Sequence, residues 1–88
     1  MENVILKSEE KKSRSEIVKF LTEIAQKIDN GILELIQAEK SVELSIPEEL
    51  TLEIKVEEKI KENRPKKIQL EIELEWSEGG KEETIKLA

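Results

Sequence analysis

Apolar residues recur every three or four positions between about Arg14 and Asn30, and their spacing is that of one face of a helix. This stripe contains Ile17, Phe20, Leu21, Ile24 and Ile28. Ser13 and Glu16 have the spacing of a capping box, in which each side chain satisfies a backbone N–H of the first turn. Asn30 and Gly31 form a typical helix stop. The pattern therefore predicts an amphipathic helix over residues 14–30.

After Gly31 the apolar period falls to two, which is the period of a strand with one apolar and one polar face. Three runs place every apolar residue at an even number: Val42, Leu44 and Ile46, then Leu50, Leu52, Ile54 and Val56, then Ile68, Leu70, Ile72, Leu74 and Trp76. A shorter strand is predicted over Ile32–Gln37, with a turn at 38–41. Further strands are expected at Val4–Leu6 and at Thr84–Leu87.

The connections between these strands are short, which favours antiparallel pairing over parallel units with crossover helices. We expect an α+β fold: one amphipathic helix packed on one face of a curved, mainly antiparallel sheet of four to six strands, in a β-α-β-β-β-β meander. The 88 residues form one domain, with an edge strand within 1–9, a core over 10–76 and a tail over 77–88 that holds the last strand.

The hairpin tip at Lys61–Pro65 sets an expected register for the two long strands. If residues 60 and 66 face each other, Lys55 lies opposite Glu71 and Glu53 lies opposite Glu73. One pair attracts and the other repels. The polar face of the hairpin is thus expected to be solvated and to resist stacking.

The order of these segments resembles the amphi-Trp domain family. The resemblance rests on the helix SRSEIVKFLTEIAQKI, the strand pair LSIPEELTLEIKVEE and the closing amphipathic strand IQLEIELEW with its terminal Trp76. It covers roughly residues 10–76, and it implies a small prokaryotic protein without supplying any catalytic or ligand residues. The tip KENRPKK and the tail SEGGKEETIKLA depart from the expected pattern.

The residue types argue against enzymatic chemistry. The chain has no His, Cys or Tyr, so the commonest general bases, thiol nucleophiles and imidazole metal ligands are missing. Glu71, Glu73 and Glu75 share one strand face, but a solvated face supplies no pocket to shift a carboxyl pKa. The same carboxylates diverge along the strand, whereas a cation site needs oxygens that converge. We expect no catalysis, no cofactor and no metal.

The net charge of −6 lies entirely in residues 32–88, which carry nine basic and fifteen acidic side chains. One basic cluster stands out at the hairpin tip: Lys59, Lys61, Arg64, Lys66 and Lys67. Such a tip could contact phosphates, although no aromatic residues interleave with it for base stacking. Binding of nucleic acid or of a phosphate ligand through the tip is therefore an alternative hypothesis, ranked second.

A comparison of areas favours self-association. A helix of about seventeen residues is ~25 Å long and ~10 Å wide, whereas four or five strands make a sheet ~19–24 Å across. One helix cannot cover that sheet, and exposed apolar patches of this size usually mark contacts. We expect a homodimer, or another protein partner, with Trp76, Leu74, Ile72, Val56 and Ile60 at the interface. The competing interpretation is that Trp76 closes the end of its own core.

The sequence therefore predicts a non-enzymatic interaction module. A small-ligand carrier is the third hypothesis, for which only Phe20 and Trp76 offer aromatic surfaces. The absence of cysteine and of any apolar run near ~20 residues predicts a cytoplasmic protein that does not enter a membrane. Twenty Glu against one Asp, with abundant Lys and Ile, is a composition found in thermophiles.

Overall fold

The computed structural model describes residues 1–78 and residue 87, and these residues fall into two compact units. The first unit, Met1–Glu48, holds helix α1 (Arg14–Asp29) followed by strands β1 (Ile32–Gln37) and β2 (Lys40–Ser45). The second unit begins at Glu49 and holds strands β3 (Thr51–Lys59) and β4 (Lys67–Glu75). The expected α+β class with antiparallel strands is confirmed. The described strands form two sheets of two strands each.

Helix α1 begins and ends where the capping signals predict. The Ser13 hydroxyl accepts a hydrogen bond from the Glu16 backbone N–H at 3.2 Å, and the Glu16 carboxylate accepts one from the Ser13 backbone N–H at 3.5 Å. The predicted capping box is therefore present. At the other end Asn30 is the C-cap and Gly31 follows with φ +82°. A left-handed backbone of this kind favours glycine because it has no Cβ.

Strands β1 and β2 form a hairpin whose turn contains only Ala38 and Glu39. Ala38 has φ +52°, a conformation that strains a residue with a Cβ. The predicted turn over 38–41 is therefore shorter in the structure, and β2 begins at Lys40. The base of the hairpin closes where the Ile46 N–H donates to the Gly31 carbonyl at 2.8 Å.

One face of the β1–β2 hairpin carries paired leucine and valine residues. Leu33 lies opposite Leu44, and Leu35 lies opposite Val42, with all four half-buried. Helix α1 contacts β1, and Ile24 of the helix is half-buried as well. No residue in the described part of the chain is fully buried, so this packing is shallow.

Strands β3 and β4 pair without a bulge along nine residues each, from Thr51 opposite Glu75 to Lys59 opposite Lys67. This register places Lys55 opposite Glu71 and Glu53 opposite Glu73, as the tip position predicted. The two even-numbered apolar runs therefore lie side by side on one face of the hairpin.

Residues 1–13 contain no helix or strand, so the strand expected at Val4–Leu6 is not formed. Two donors from the end of the β1–β2 hairpin reach the backbone of this segment instead. The Gln37 amide donates to the Lys7 carbonyl at 3.0 Å, and the Lys40 ammonium donates to the Ile5 carbonyl. Because these two carbonyls accept hydrogen bonds from side chains, they do not take part in the backbone hydrogen bonding that defines a strand. The strand predicted at Thr84–Leu87 lies outside the described residues, apart from Leu87.

Candidate functional site

An aliphatic ladder covers one side of the β3–β4 hairpin. Its facing pairs are Leu52 with Leu74, Ile54 with Ile72, and Val56 with Leu70, and Ile68 adds a seventh side chain. These seven residues are called the apolar face below. Their exposed fractions run from 37% at Leu74 to 65% at Val56. A hairpin of two strands can pair these side chains with each other but cannot cover them.

The predicted interface residues fall at two kinds of position. Leu74, Ile72 and Val56 belong to the apolar face, whereas Ile60 and Trp76 each lie one residue beyond the end of a strand. Ile60 is 77% exposed and Trp76 is half-buried. The predicted set left out Leu52, Ile54, Ile68 and Leu70, although the even-numbered pattern that identified the others also marked these.

The opposite side of the same hairpin is acidic. Glu53 lies directly opposite Glu73, and repulsion from the Glu53 carboxylate raises the pKa of Glu73 above its usual value. Lys55 lies at the middle of this side, with its ammonium 3.0 Å from Glu57 and 3.6 Å from Glu71. The hydrogen bond to Glu57, with the charges of Glu57 and Glu71, raises the pKa of Lys55. All of these groups are solvated, so the ion pairs contribute little stability.

The basic residues of the tip have different surroundings. Lys66 pairs with Glu58 at 3.2 Å, so part of its charge is neutralised within the hairpin. Lys59 and Lys67 lie opposite each other as the last pair of the ladder, where like charges are unfavourable. Lys61 and Arg64 lie in the turn, where the Arg64 N–H donates to the Lys61 carbonyl at 3.3 Å.

Within the described residues, no group of three or more acidic side chains is arranged to hold a metal ion. The carboxylates at Glu71, Glu73 and Glu75 remain spread along β4, as the strand spacing predicts. The single helix described is not long and apolar enough to cross a membrane.

The first unit contains an open groove of about 830 Å³ between α1, β1 and the N-terminal segment. Its apolar lining includes Ile17 and Phe20 of the helix and Leu35 of β1. Charged residues such as Lys19 and Glu23 also line it. The volume lies within the range of small-molecule sites, ~300–1,000 Å³. The sequence analysis named Phe20 as an aromatic surface for a ligand but did not predict this groove, because an edge strand was expected within residues 1–9.

These features define a small α+β module in which an amphipathic helix is followed by two hairpins, and the last amphipathic strand ends next to a half-buried tryptophan. The chain belongs to the amphi-Trp domain family, whose family model matches residues 1–88, the whole chain. The match includes the tail that had been considered a departure from the family pattern. No curated protein and no solved structure matches the chain.

Proposed function

We propose that this domain is a non-enzymatic interaction module that self-associates through the apolar face of the β3–β4 hairpin. The observation that carries the proposal is the exposure of this face, where seven aliphatic side chains in register keep 37–65% of their surface exposed. An isolated hairpin of two strands is at best marginally stable in water. A second apolar surface that covers this face would remove the exposed area and stabilise the hairpin.

The exposed area sets the expected strength of association. Full burial of one such side chain contributes ~1.5–3 kcal/mol at ~25 cal/mol per Å², which corresponds to ~60–120 Å². With about three fifths of each side chain exposed, the seven offer roughly 250–500 Å² per copy. Two copies would then bury roughly 500–1,000 Å², below the ~1,200–2,000 Å² of a standard interface. The dimer is therefore expected to be weak and concentration-dependent.

Sedimentation velocity over about 1 µM to 1 mM, which spans weak affinities, tests the proposal. Leu70→Glu places a charge on the apolar face and should shift the chain to monomer. Gln69→Glu is the matched control, because it adds the same charge at the neighbouring position on the acidic side. Circular dichroism checks that both variants fold. A wild-type monomer at the highest concentration would overturn the proposal.

Three expectations from the sequence remain predictions. They are a single curved sheet of four to six strands under the helix, a thermophilic source and a cytoplasmic location. The absence of cysteine supports a reducing compartment.

The groove of the first unit favours a second candidate, the small-ligand carrier. Its volume of about 830 Å³ and its lining by Ile17, Phe20 and Leu35 suit a small apolar ligand. Native mass spectrometry of the freshly purified chain tests this candidate, since a carrier retains a mass that the Phe20→Asn variant loses. An identical bare mass for both proteins would reject it.

A further inference from the structure

We infer that the groove of the first unit binds a small organic cation, in which an ammonium group is carried on an apolar body. This inference rests on the second candidate function, the small-ligand carrier, and specifies the chemical class of its ligand. All of the lining residues belong to the first unit, Met1–Glu48.

The apolar part of the lining suits the body of such a ligand. Ile17 and Phe20 of α1 are 45% and 55% exposed. Leu35 of β1 and Leu6 of the N-terminal segment line the same groove and are half-buried. An apolar body placed against these side chains would be removed from water together with them, which is favourable.

The charged part of the lining determines the sign of the ligand. Four carboxylates and two ammonium groups line the groove, a net charge of −2: Glu10, Glu16, Glu23 and Glu34 against Lys12 and Lys19. The Lys12 ammonium lies 3.0 Å from Glu10 and 3.8 Å from Glu16, so its charge is already balanced within the groove. The groove therefore attracts a cation and repels an anion.

Two of these carboxylates lack a cationic partner. Within residues 1–78, neither Glu23 nor Glu34 takes part in an ion pair. Glu34 lies directly opposite Glu43 of β2, where like charges are unfavourable. A ligand cation beside Glu34 would offset that repulsion. An uncharged apolar cover, whatever its source, would instead desolvate Glu23 and Glu34 without compensation, which is costly.

Phe20 provides a second attraction for a cation. Glu23 follows Phe20 by three residues in α1, so the two side chains are neighbours on one face of the helix. The face of an aromatic ring attracts a cation within ~6 Å of its centre. An ammonium group bound there would interact with the ring and with the Glu23 carboxylate, while its apolar body lies along the aliphatic lining.

Three probes that share one alkyl chain test the inference: octyltrimethylammonium, octyl sulfate and 1-octanol. Each is titrated below its micelle concentration into the full ¹⁵N-labelled chain, and backbone amide shifts report the site and the affinity. Amides of α1 and β1 should respond to octyltrimethylammonium. It should bind about tenfold more tightly than octyl sulfate, because each exposed ion pair changes binding by up to about fivefold. Added salt should weaken this probe and leave 1-octanol unchanged.

A double variant, Glu23→Gln with Glu34→Gln, tests the two carboxylates. It should bind octyltrimethylammonium up to about tenfold more weakly, with 1-octanol unaffected. The matched control is Glu2→Gln with Glu39→Gln, which removes the same charge from first-unit residues that do not line the groove. Circular dichroism checks that both double variants fold. Equal affinity of the two double variants for the cation would overturn the inference.

The remaining outcomes separate the ligand class from the carrier itself. Equal binding of all three probes, or tighter binding of octyl sulfate, would overturn the cation and keep the carrier. Shifts confined to β3 and β4 would place the probes on the apolar face and overturn both. An absence of binding by any probe would likewise overturn both, and it would leave the self-association proposal to its own sedimentation test.

Discussion

Replacing Ile72 by alanine tests how much of the apolar face becomes covered. Ile72 is 60% exposed and lies opposite Ile54, which is 62% exposed. The substitution removes three carbons, worth ~0.8 kcal/mol each when fully buried, or ~2.4 kcal/mol in total. The exposed three fifths of that amount, ~1.4 kcal/mol per copy, is gained when a second apolar surface covers the face. Two copies lose ~3 kcal/mol, which weakens the dimer by roughly 100-fold.

Sedimentation equilibrium of the wild type and the Ile72→Ala variant measures this change in the dissociation constant. Ile32→Ala is the matched control, because Ile32 is a strand isoleucine that is 53% exposed and lies outside the apolar face. The control should leave the dissociation constant unchanged. The reasoning fails if the two variants associate equally well. A large loss of thermal stability in Ile72→Ala, with no change in association, would show that the chain covers this face itself.

Four further outcomes follow from the geometry. Ser13→Ala removes the capping box of α1 and should cost ~1 kcal/mol, or ~4–8 °C in melting temperature by circular dichroism, whereas Ser15→Ala should cost less. Ala38→Gly relieves a positive φ and should raise the stability to chemical denaturation by about 1 kcal/mol; a loss would contradict the assigned turn. Glu73 has a raised folded-state pKa, so the folded chain binds more protons than the unfolded chain between the two pKa values. The stability contribution of Glu73 should therefore increase as the pH falls from 7 through the folded-state pKa, and Glu73→Gln should flatten that part of a melting-temperature profile. A filter-binding titration should find no retention of RNA or DNA near 50 mM salt; retention that falls steeply with added salt would support the tip hypothesis instead.

Local signals predicted most of the secondary structure. The capping box at Ser13 and the stop at Gly31 define the ends of α1 to within one residue, because both act through neighbouring backbone groups. The register of β3 with β4 followed from the position of the tip alone, since a hairpin has one alignment once its turn is fixed. The start of β2 was misplaced because a tight turn with Ala38 at positive φ carries no glycine or asparagine to mark it.

Features that depend on contacts between residues distant in the sequence were harder to predict. The strand expected at Val4–Leu6 has the right residue types, but a strand exists only where a partner backbone accepts and donates hydrogen bonds. Side chains of Gln37 and Lys40 take those carbonyls instead, and no local pattern encodes that contact. The groove beside Phe20 was not predicted for the same reason, because part of its wall is made by Leu6 and Ser8, which lie in the segment where an edge strand was expected.

The apolar face shows why a period-two pattern specifies a surface and not its cover. Alternation from Leu52 to Val56 and from Ile68 to Leu74 requires only that water be excluded from one side. A helix, a second hairpin and another protein would satisfy that requirement equally well. The discriminating information lies in the residues that interrupt the alternation or face away from it. Glu58 interrupts the apolar face at one end, and Glu71 and Lys55 occupy the middles of the two edges. Any surface that covers the apolar face must leave these three charges solvated, because burying a charge is costly.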